Sequence, residues 1–393
     1  MEKQAKDRLW TKVFIALYAC NFIFFFGFYM LQPTLPLYIT SIGGNDGDVG
    51  TVATAFAVAA VVVRLLITFL LDKFSRRTLL YFGLILSLVM SAAYSLMHSV
   101  LGIAVLRVLQ GVGFGFVTTF CGSMAADALA DSRRGEGIGL FSMGTTAAVA
   151  LSPMVGLAIM NGWGFVALFI ATAVVLIFSL ITIKTVKLPE STKPKAEEGK
   201  EKIKLWNRFY DTRIWYQTIL LLLYGIARAS QQNYLSLLAV ERGLSTLAAY
   251  YIVEPVTVFV FKFATAKIYD RMGPKATLIP GAIGCIIAMF IYSTVKSDAW
   301  FLVSAVCAGI AIGSIIPTFQ VWIMNAVGAK NRDLGSALYY NIYDIGIAIG
   351  SVIMGVLAMN FGYFGMYRVA MFIMIAFLLI FVIPVACGKK IEQ

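Results

Sequence analysis

Arg64-Leu-Leu-Ile-Thr-Phe-Leu-Leu-Asp72-Lys-Phe-Ser-Arg76-Arg77 is matched 198 residues later by Lys262-Phe-Ala-Thr-Ala-Lys-Ile-Tyr-Asp270-Arg271-Met-Gly-Pro-Lys275. Each stretch has a base, seven spacer residues, a carboxylate and further bases within five positions. The same offset pairs Gly27 with Gly225, Gly83 with Gly281 and Tyr94-Ser95 with Tyr292-Ser293. It also pairs Gly111 with Gly309, Gly115 with Gly313, Arg134 with Arg332 and Gly137 with Gly335. Almost everything between these marks is apolar, so the chain reads as two similar membrane-embedded halves. Duplication of that kind is the mark of proteins in which one half rocks against the other around a central site.

Composition supports a lipid environment. The 393 residues are 60% hydrophobic and 13% charged, with a mean hydropathy of +0.84. A soluble domain of this size needs a charged surface, and this chain cannot supply one. The five cysteines, Cys20, Cys121, Cys285, Cys307 and Cys387, lie in apolar stretches without CxxC spacing. They read as small buried hydrophobes and imply no metal site or disulfide framework. The first apolar run is too long for a cleavable signal peptide.

Apolar runs long enough to cross the hydrocarbon core fall at about 12–38, 49–71, 78–97, 100–128, 137–160 and 163–186, then 212–238, 246–268, 276–295, 299–326, 334–359 and 364–387. The expected architecture is an all-α membrane protein with twelve transmembrane helices in two pseudo-symmetric six-helix bundles. Residues 1–186 would form the first bundle and 212–393 the second. The Lys- and Glu-rich segment 187–211 would be a cytoplasmic linker, with an interfacial helix around Ile203–Tyr210.

Alternate breaks are basic. Placing them with both termini and the linker on one side collects 25 of the 32 Lys and Arg residues. Three fall on the other side (Arg242, Lys296, Arg368) and four within spans (Arg64, Arg107, Arg228, Lys262). Cationic loops stay cytoplasmic, which puts both termini inside a plasma (inner) membrane. The net charge of +12 is thus mainly a topology signal. The bases are dispersed among short loops, so no nucleic-acid partner is expected.

The loop after the second span resembles the G-x-L-x-D-R-x-G-R-R motif of the major facilitator superfamily. Asp72, Arg76, Arg77 and the upstream Arg64 match, while Thr68 and Ser75 stand where the family usually has Gly. The second copy keeps Lys262, Asp270, Arg271, Gly273 and Lys275. Arg107-Val-Leu-Gln110-Gly111 resembles the family's R-x-x-Q-G motif, and Asp127 with Arg133-Arg134-Gly135 resembles the ending of the fourth span. The resemblance covers essentially the whole chain. It implies the major facilitator fold and a cytoplasmic gate in which Asp72, Arg76 and Asp127 latch together. In the fifth span, Ser152, Pro153 and Gly156 form a degraded version of a motif similar to the signature of facilitator exporters. Gly346 and Gly350 occupy the related face of the second half. Small residues four apart let helices approach closely, so these five read as helix-packing positions.

Six charged side chains fall well inside spans, away from their ends: Arg64, Arg107, Arg228, Glu254, Lys262 and Asp344. Each costs about 2.5–3.5 kcal/mol or more at the bilayer centre, so they should face a cavity or one another. Arg64 and Lys262 stand about 12 Å of helix from the motif carboxylates and belong with the gate. Glu254 and Asp344 fall near the midplane. Desolvation penalises the charged form of a carboxyl group, which makes either or both a candidate proton-coupling site. A static ion pair with Arg228 is the alternative. Polar residues at helical spacing surround them: Asn21, Phe25, Phe28 and Gln32 in the first span, and Arg107 and Gln110 in the fourth. Arg228, Gln231 and Gln232 lie in the seventh, with Tyr340, Asn341 and Tyr343 in the eleventh. Together they would line the substrate cavity.

The expected activity is secondary active transport by alternating access, resembling the drug:proton antiporter branch. Proton-coupled export of a drug-like compound or metabolite leads, by a monomer without cofactor or metal. An importer or uniporter of a metabolite or chelate is the alternative. A membrane-embedded lipid-modifying enzyme ranks lower, because the acids are scattered and the one histidine, His98, has no nearby partner. ATP-driven pumping is not expected, since no phosphate-binding G-x-x-x-x-G-K-[ST] segment occurs.

Overall fold

The computed structural model describes residues 9–71, 73–130, 133–186, 188, 214–327 and 332–386. Asp72 of the expected latch, the termini, Cys387 and nearly all of the 187–211 linker with its interfacial helix lie outside the described residues.

The described residues are all-helical: α1 Lys12–Met30, α2 Thr34–Ser41, α3 Asp46–Leu71, α4 Arg76–Ala93, α5 Val100–Asp127, α6 Arg134–Lys184, α7 Trp215–Glu241, α8 Leu247–Met272, α9 Lys275–Thr294, α10 Asp298–Ala326 and α11 Arg332–Ala386. Helix starts follow from the sequence. Thr11, Ser75 and Ser99 each accept a hydrogen bond from the backbone N–H three residues on, at 3.1–3.2 Å, satisfying a donor that the first turn leaves open. Ser75 stands where the family motif usually has Gly, and the chain uses it as a cap. Its repeat partner Gly273 instead ends α8 at φ +73°.

One span departs from expectation, and two expected boundaries acquire a physical cause. The first span is two helices, because Pro33 lacks an N–H and restricts the residue before it, so the chain breaks after Leu31 and restarts as α2. The fifth and sixth expected spans follow one another without a loop in α6, 51 residues in all, as two helices joined at a kink. A straight helix of that length would run roughly 75 Å, more than twice the hydrocarbon core. Gly164, at φ 81° and ψ 179°, divides it into two crossings. Gly362, at φ 64° and ψ −179°, does the same in α11. The two kinks are 198 residues apart, so the repeat register extends to a backbone conformation that essentially only glycine adopts.

Among the described residues nine helical segments are long and apolar enough to cross a membrane. The two divided by Gly164 and Gly362 count twice, and α7 is long enough but carries Arg228, Gln231, Gln232 and Asn233. Twelve transmembrane helices result among the described residues.

Replacing Gly164 or Gly362 with Ala forces an L-residue into that region at a cost of about 1–3 kcal/mol. Both variants are expected to melt a few degrees below the parent in detergent, and by similar amounts. An unchanged melting temperature in both would mean that the kinks are not held in this geometry.

Two compact units divide the chain: Met1–Tyr38 with Val58–Glu201, and Ile39–Ala57 with Lys202–Gln393. Within the first, α1 packs on α6 and α4 packs on both α5 and α6; within the second, α7 packs on α11 and α9 packs on α10 and α11. These are the same pairs one repeat apart. Close approaches repeat as well. A Cβ on Gly115 would lie 3.1 Å from the Ala60 carbonyl oxygen, and one on Gly313 would lie 2.9 Å from that of Val258. Gly83 faces Phe116 and Val117, and Gly281 faces Ser314 and Ile315. Lipid is as apolar as leucine, so helix association here relies on such backbone-close packing. Large apolar side chains such as Phe178, Val260, Phe263 and Phe372 are half or more exposed, as expected of a surface solvated by acyl chains.

Candidate functional site: two buried polar clusters

In the second unit, α7 and α8 each turn a polar stripe inward. Arg228 and Gln231 are three residues apart on α7, and Tyr250 and Glu254 four apart on α8, so each pair shares a helix face. The Gln231 amide donates to the Tyr250 hydroxyl at 2.6 Å and also to the Glu254 carboxylate. The Tyr250 and Tyr292 hydroxyls are hydrogen-bonded, which brings α9 into the network. One Arg228 terminal nitrogen lies 3.7 Å from Glu254 Oε1. Tyr250 packs against Phe301 at 4.9 Å and Tyr292 against Tyr367 at 5.1 Å between ring centroids. Glu254 is 7% exposed, and both tyrosines are fully buried.

This arrangement brings Arg228, Gln231 and Glu254 together. Tyr250 and Tyr292 were missed. Their signals were present: Tyr250 precedes Glu254 by one helical turn, and Tyr292 is the repeat partner of Tyr94. Asp344 is half-buried on α11, where neighbouring Tyr343 stacks on Tyr224 and Tyr339 with centroids 6.2 and 6.3 Å apart. Asn341 is 5% exposed, Tyr340 is 48% exposed and Gln232 is half-buried.

The first unit holds a counterpart built from different spans. Gln110 Oε1 accepts from the Tyr94 hydroxyl at 2.8 Å and from Arg107 at 2.9 Å, and Gln110 Nε2 donates to Ser91 at 3.2 Å. The Arg107 guanidinium sits 5.7 Å from the centre of the Phe28 ring, an arrangement that offsets part of its desolvation. The repeat-related tyrosines thus both anchor polar clusters. The positions one repeat on from Arg107 and Gln110 are Ala305 and Ala308, so the second unit draws its charges from α7 and α8 instead. On α1, Asn21 donates to Thr145 at 2.7 Å, Phe25 stacks on Tyr29 at 6.0 Å, and Gln32 is half-buried in the break before α2.

Of the gate residues, Arg76 donates to Asp127 Oδ2 at 2.8 Å, joining the start of α4 to the end of α5. Arg77 lies 5.7 Å from the Tyr81 ring centre. Arg64 and Lys262 are half-buried within α3 and α8, and Asp270 and Arg271 are exposed in the last turn of α8. The packing residues sit in tight places. Ser152 is fully buried, Pro153 lies inside α6, and Gly156 abuts the Met30 backbone. Gly346 and Gly350 abut α7 at Leu222 and Ile226.

Long apolar helices in two repeated six-helix bundles, each holding a buried polar cluster, define a membrane transporter. The chain belongs to the Major Facilitator Superfamily, whose profile matches residues 17–347 and 247–388. It is 22% identical over 369 residues to an uncharacterized MFS-type transporter of Methanocaldococcus jannaschii, with 92% of each chain covered. The staphylopine export protein of Staphylococcus aureus is also 22% identical over 369 residues, covering 91% of this chain and 92% of that one. Among solved structures, the nucleoside transporter NupG superposes with a TM-score of 0.77 at 13% identity, covering 94% and 99% of the two chains.

Proposed function

We propose that this transporter works by alternating access and couples proton movement to the export of a small organic molecule. The observation that carries this reading is the Glu254 carboxylate, buried inside a membrane span between a guanidinium and an amide donor. A proton and Arg228 compete for that carboxylate. When Glu254 is protonated, Arg228 loses its charge partner and the cluster can rearrange; when the proton leaves, the pair re-forms. Two arrangements of one packed cluster are what a coupled two-state transporter requires. Asp344 is the second proton-coupling candidate.

The cavity residues proposed for substrate contact are Asn21, Phe25, Gln32, Arg107, Gln110, Arg228, Gln231, Gln232, Tyr340 and Asn341. Residues 1–186 and 212–393 are proposed as the two moving halves, with the Asp72–Arg76–Asp127 set as the cytoplasmic gate; the Arg76–Asp127 hydrogen bond supports its described portion. Export as the direction is favoured by the Ser152-Pro153 motif and by a relative named for staphylopine export. We place the protein in the plasma membrane with both termini cytoplasmic, acting as a monomer.

The test has two stages. Thermal stabilisation of the purified protein is screened across metabolites and drug-like compounds, because a ligand bound to the folded state raises its apparent stability by mass action. The hit is then followed in proteoliposomes under an imposed pH gradient. Uphill movement that collapses with a protonophore is expected; flux indifferent to the gradient would overturn proton coupling.

A further inference from the structure

Arg368 is the one charged side chain between positions 364 and 387, in the second crossing of α11. It stands six residues past the Gly362 kink, about 9 Å of helix. A helical side chain leans toward the N-terminus of its helix, so Arg368 reaches back toward the kink. Its guanidinium carbon lies 5.2 Å from the centre of the Phe364 ring, one turn nearer the kink, and 4.7 Å from that of Phe290 on α9. Arg368 is half-buried, while Phe290 and Phe364 are 45% and 52% exposed on the acyl-facing surface. The cation therefore sits at the lipid surface between two rings, close to where the chain turns back.

What it touches sets it apart from other arginines. Arg76, Arg107 and Arg228 reach Asp127, Gln110 and Glu254 respectively. Among the described residues Arg368 meets rings alone, and its Nε is buried without a hydrogen-bond partner. A ring face attracts the charge but leaves the planar fork of N–H donors unfilled. The fold does not demand this cation. The positions one repeat before Phe290, Phe364 and Arg368 are Ala92, Val166 and Ile170, all apolar. Deeper along the same two helices, Ile283, Ile287 and Phe372 are exposed to the acyl chains. A cation near the surface with an apolar lane beneath it complements a phospholipid, whose phosphate lies above its tails.

We propose that Arg368, held between Phe290 and Phe364, binds the phosphate of an anionic phospholipid in the leaflet opposite the basic loops. Two phosphate oxygens fill the guanidinium fork in the bidentate geometry that this pair favours. The rings hold the guanidinium in place and keep competing water from its faces. Neither α9 nor α11 beyond the kink contains an Asp or Glu. A headgroup with net negative charge, of the phosphatidylglycerol kind, is therefore preferred over a zwitterionic one. On the inner side of the same helices Tyr292 packs against Tyr367, so the bound lipid braces α9 on α11 behind the buried cluster.

The test uses the full chain in nanodiscs of dioleoylphosphatidylglycerol and dioleoylphosphatidylcholine in equal parts. A benzophenone amino acid at Phe361, an exposed position one turn before Phe364, crosslinks whichever lipid lies beside it. With Arg368 intact, phosphatidylglycerol should be captured in roughly fivefold excess or more, the scale of one Arg against anionic headgroups. Arg368→Gln should bring the two lipids close to parity. Arg368→Lys, which keeps the charge but not the fork, should fall between, and Phe290→Leu should lower the excess with the cation intact. Parity with Arg368 intact, or an excess that Arg368→Gln leaves unchanged, overturns the site. An excess that vanishes on adding inorganic phosphate would show that the fork takes the free ion, and overturns the lipid. Should Arg368→Gln fail to fold, Arg368→Lys and Phe290→Leu decide: full excess in both overturns the proposal.

Discussion

Glu254→Gln is expected to leave a protein that binds its substrate but no longer moves it uphill, with pH-gradient-driven accumulation reduced at least ~100-fold. Glutamine matches the volume of Glu254 and can keep a hydrogen bond with Gln231, so the packing of α7 on α8 survives. It cannot take up or release a proton, and it cannot pair with Arg228, which lies 3.7 Å from the native carboxylate. The substitution also strands a guanidinium. Removing one partner of a buried pair costs about 3–5 kcal/mol, because the remaining charge stays desolvated. A drop in melting temperature will therefore accompany the loss of coupling.

The double variant Arg228→Gln/Glu254→Gln separates the two effects. It removes both charges together, so stability should recover substantially while coupling stays lost. Solute exchange across the membrane without a pH gradient should persist in Glu254→Gln, since exchange needs the cluster to rearrange but not to titrate. Coupling that survives in Glu254→Gln and in Asp344→Asn would overturn the proposed proton site. Coupling lost only in Asp344→Asn would move the role to α11.

Gly156→Val is expected to cost more than ~3 kcal/mol and to reduce the yield of folded protein sharply. A Cβ at this position overlaps the Met30 carbonyl oxygen and comes within 3.0 Å of the Met30 carbonyl carbon and Cα. These are backbone atoms at the end of α1, immediately before the Pro33 break, so no side-chain rotation relieves the clash. Overpacking in a tight core typically costs about 1–3 kcal/mol, and a branched side chain against backbone lies at the upper end or above it. Gly139, on the same helix, provides the control. Nothing lies within 4 Å of a Cβ there, and Ala is a better helix former than Gly by about 0.8–1.0 kcal/mol. Gly139→Ala should thus be neutral or slightly stabilising, while Gly156→Ala lowers the melting temperature and Gly156→Val lowers it further. Equal melting temperatures for Gly139→Ala and Gly156→Ala would show that α6 does not seat on Met30.

The membrane architecture was legible because its two causes are local. Runs of about twenty apolar residues have one stable solution in a bilayer, a helix with its backbone bonds satisfied internally. The duplication is written in glycines whose spacing survives wherever two helices touch without side chains between them, as at Gly115 on Ala60 and Gly313 on Val258. The offset of 198 also pairs the Gly164 and Gly362 kinks, which fall within two residues of the boundaries read between the fifth and sixth and the eleventh and twelfth spans.

The site was legible only as an inventory. Sequence alone marked six charged side chains in the spans as costly and in need of neighbours, and it left Glu254 and Asp344 equivalent. Which charge meets which is a matter of helix rotation and depth, and these are fixed by packing among helices far apart in sequence. Only the tertiary structure put Glu254 beside Arg228, Gln231 and the Tyr250–Tyr292 pair, or carried Asp46 to Tyr363, 317 residues away. Apolar periodicity is a short-range property that each span settles for itself. Hydrogen-bond partners inside a membrane are chosen by the whole bundle, because an unpaired polar group there has no water to fall back on.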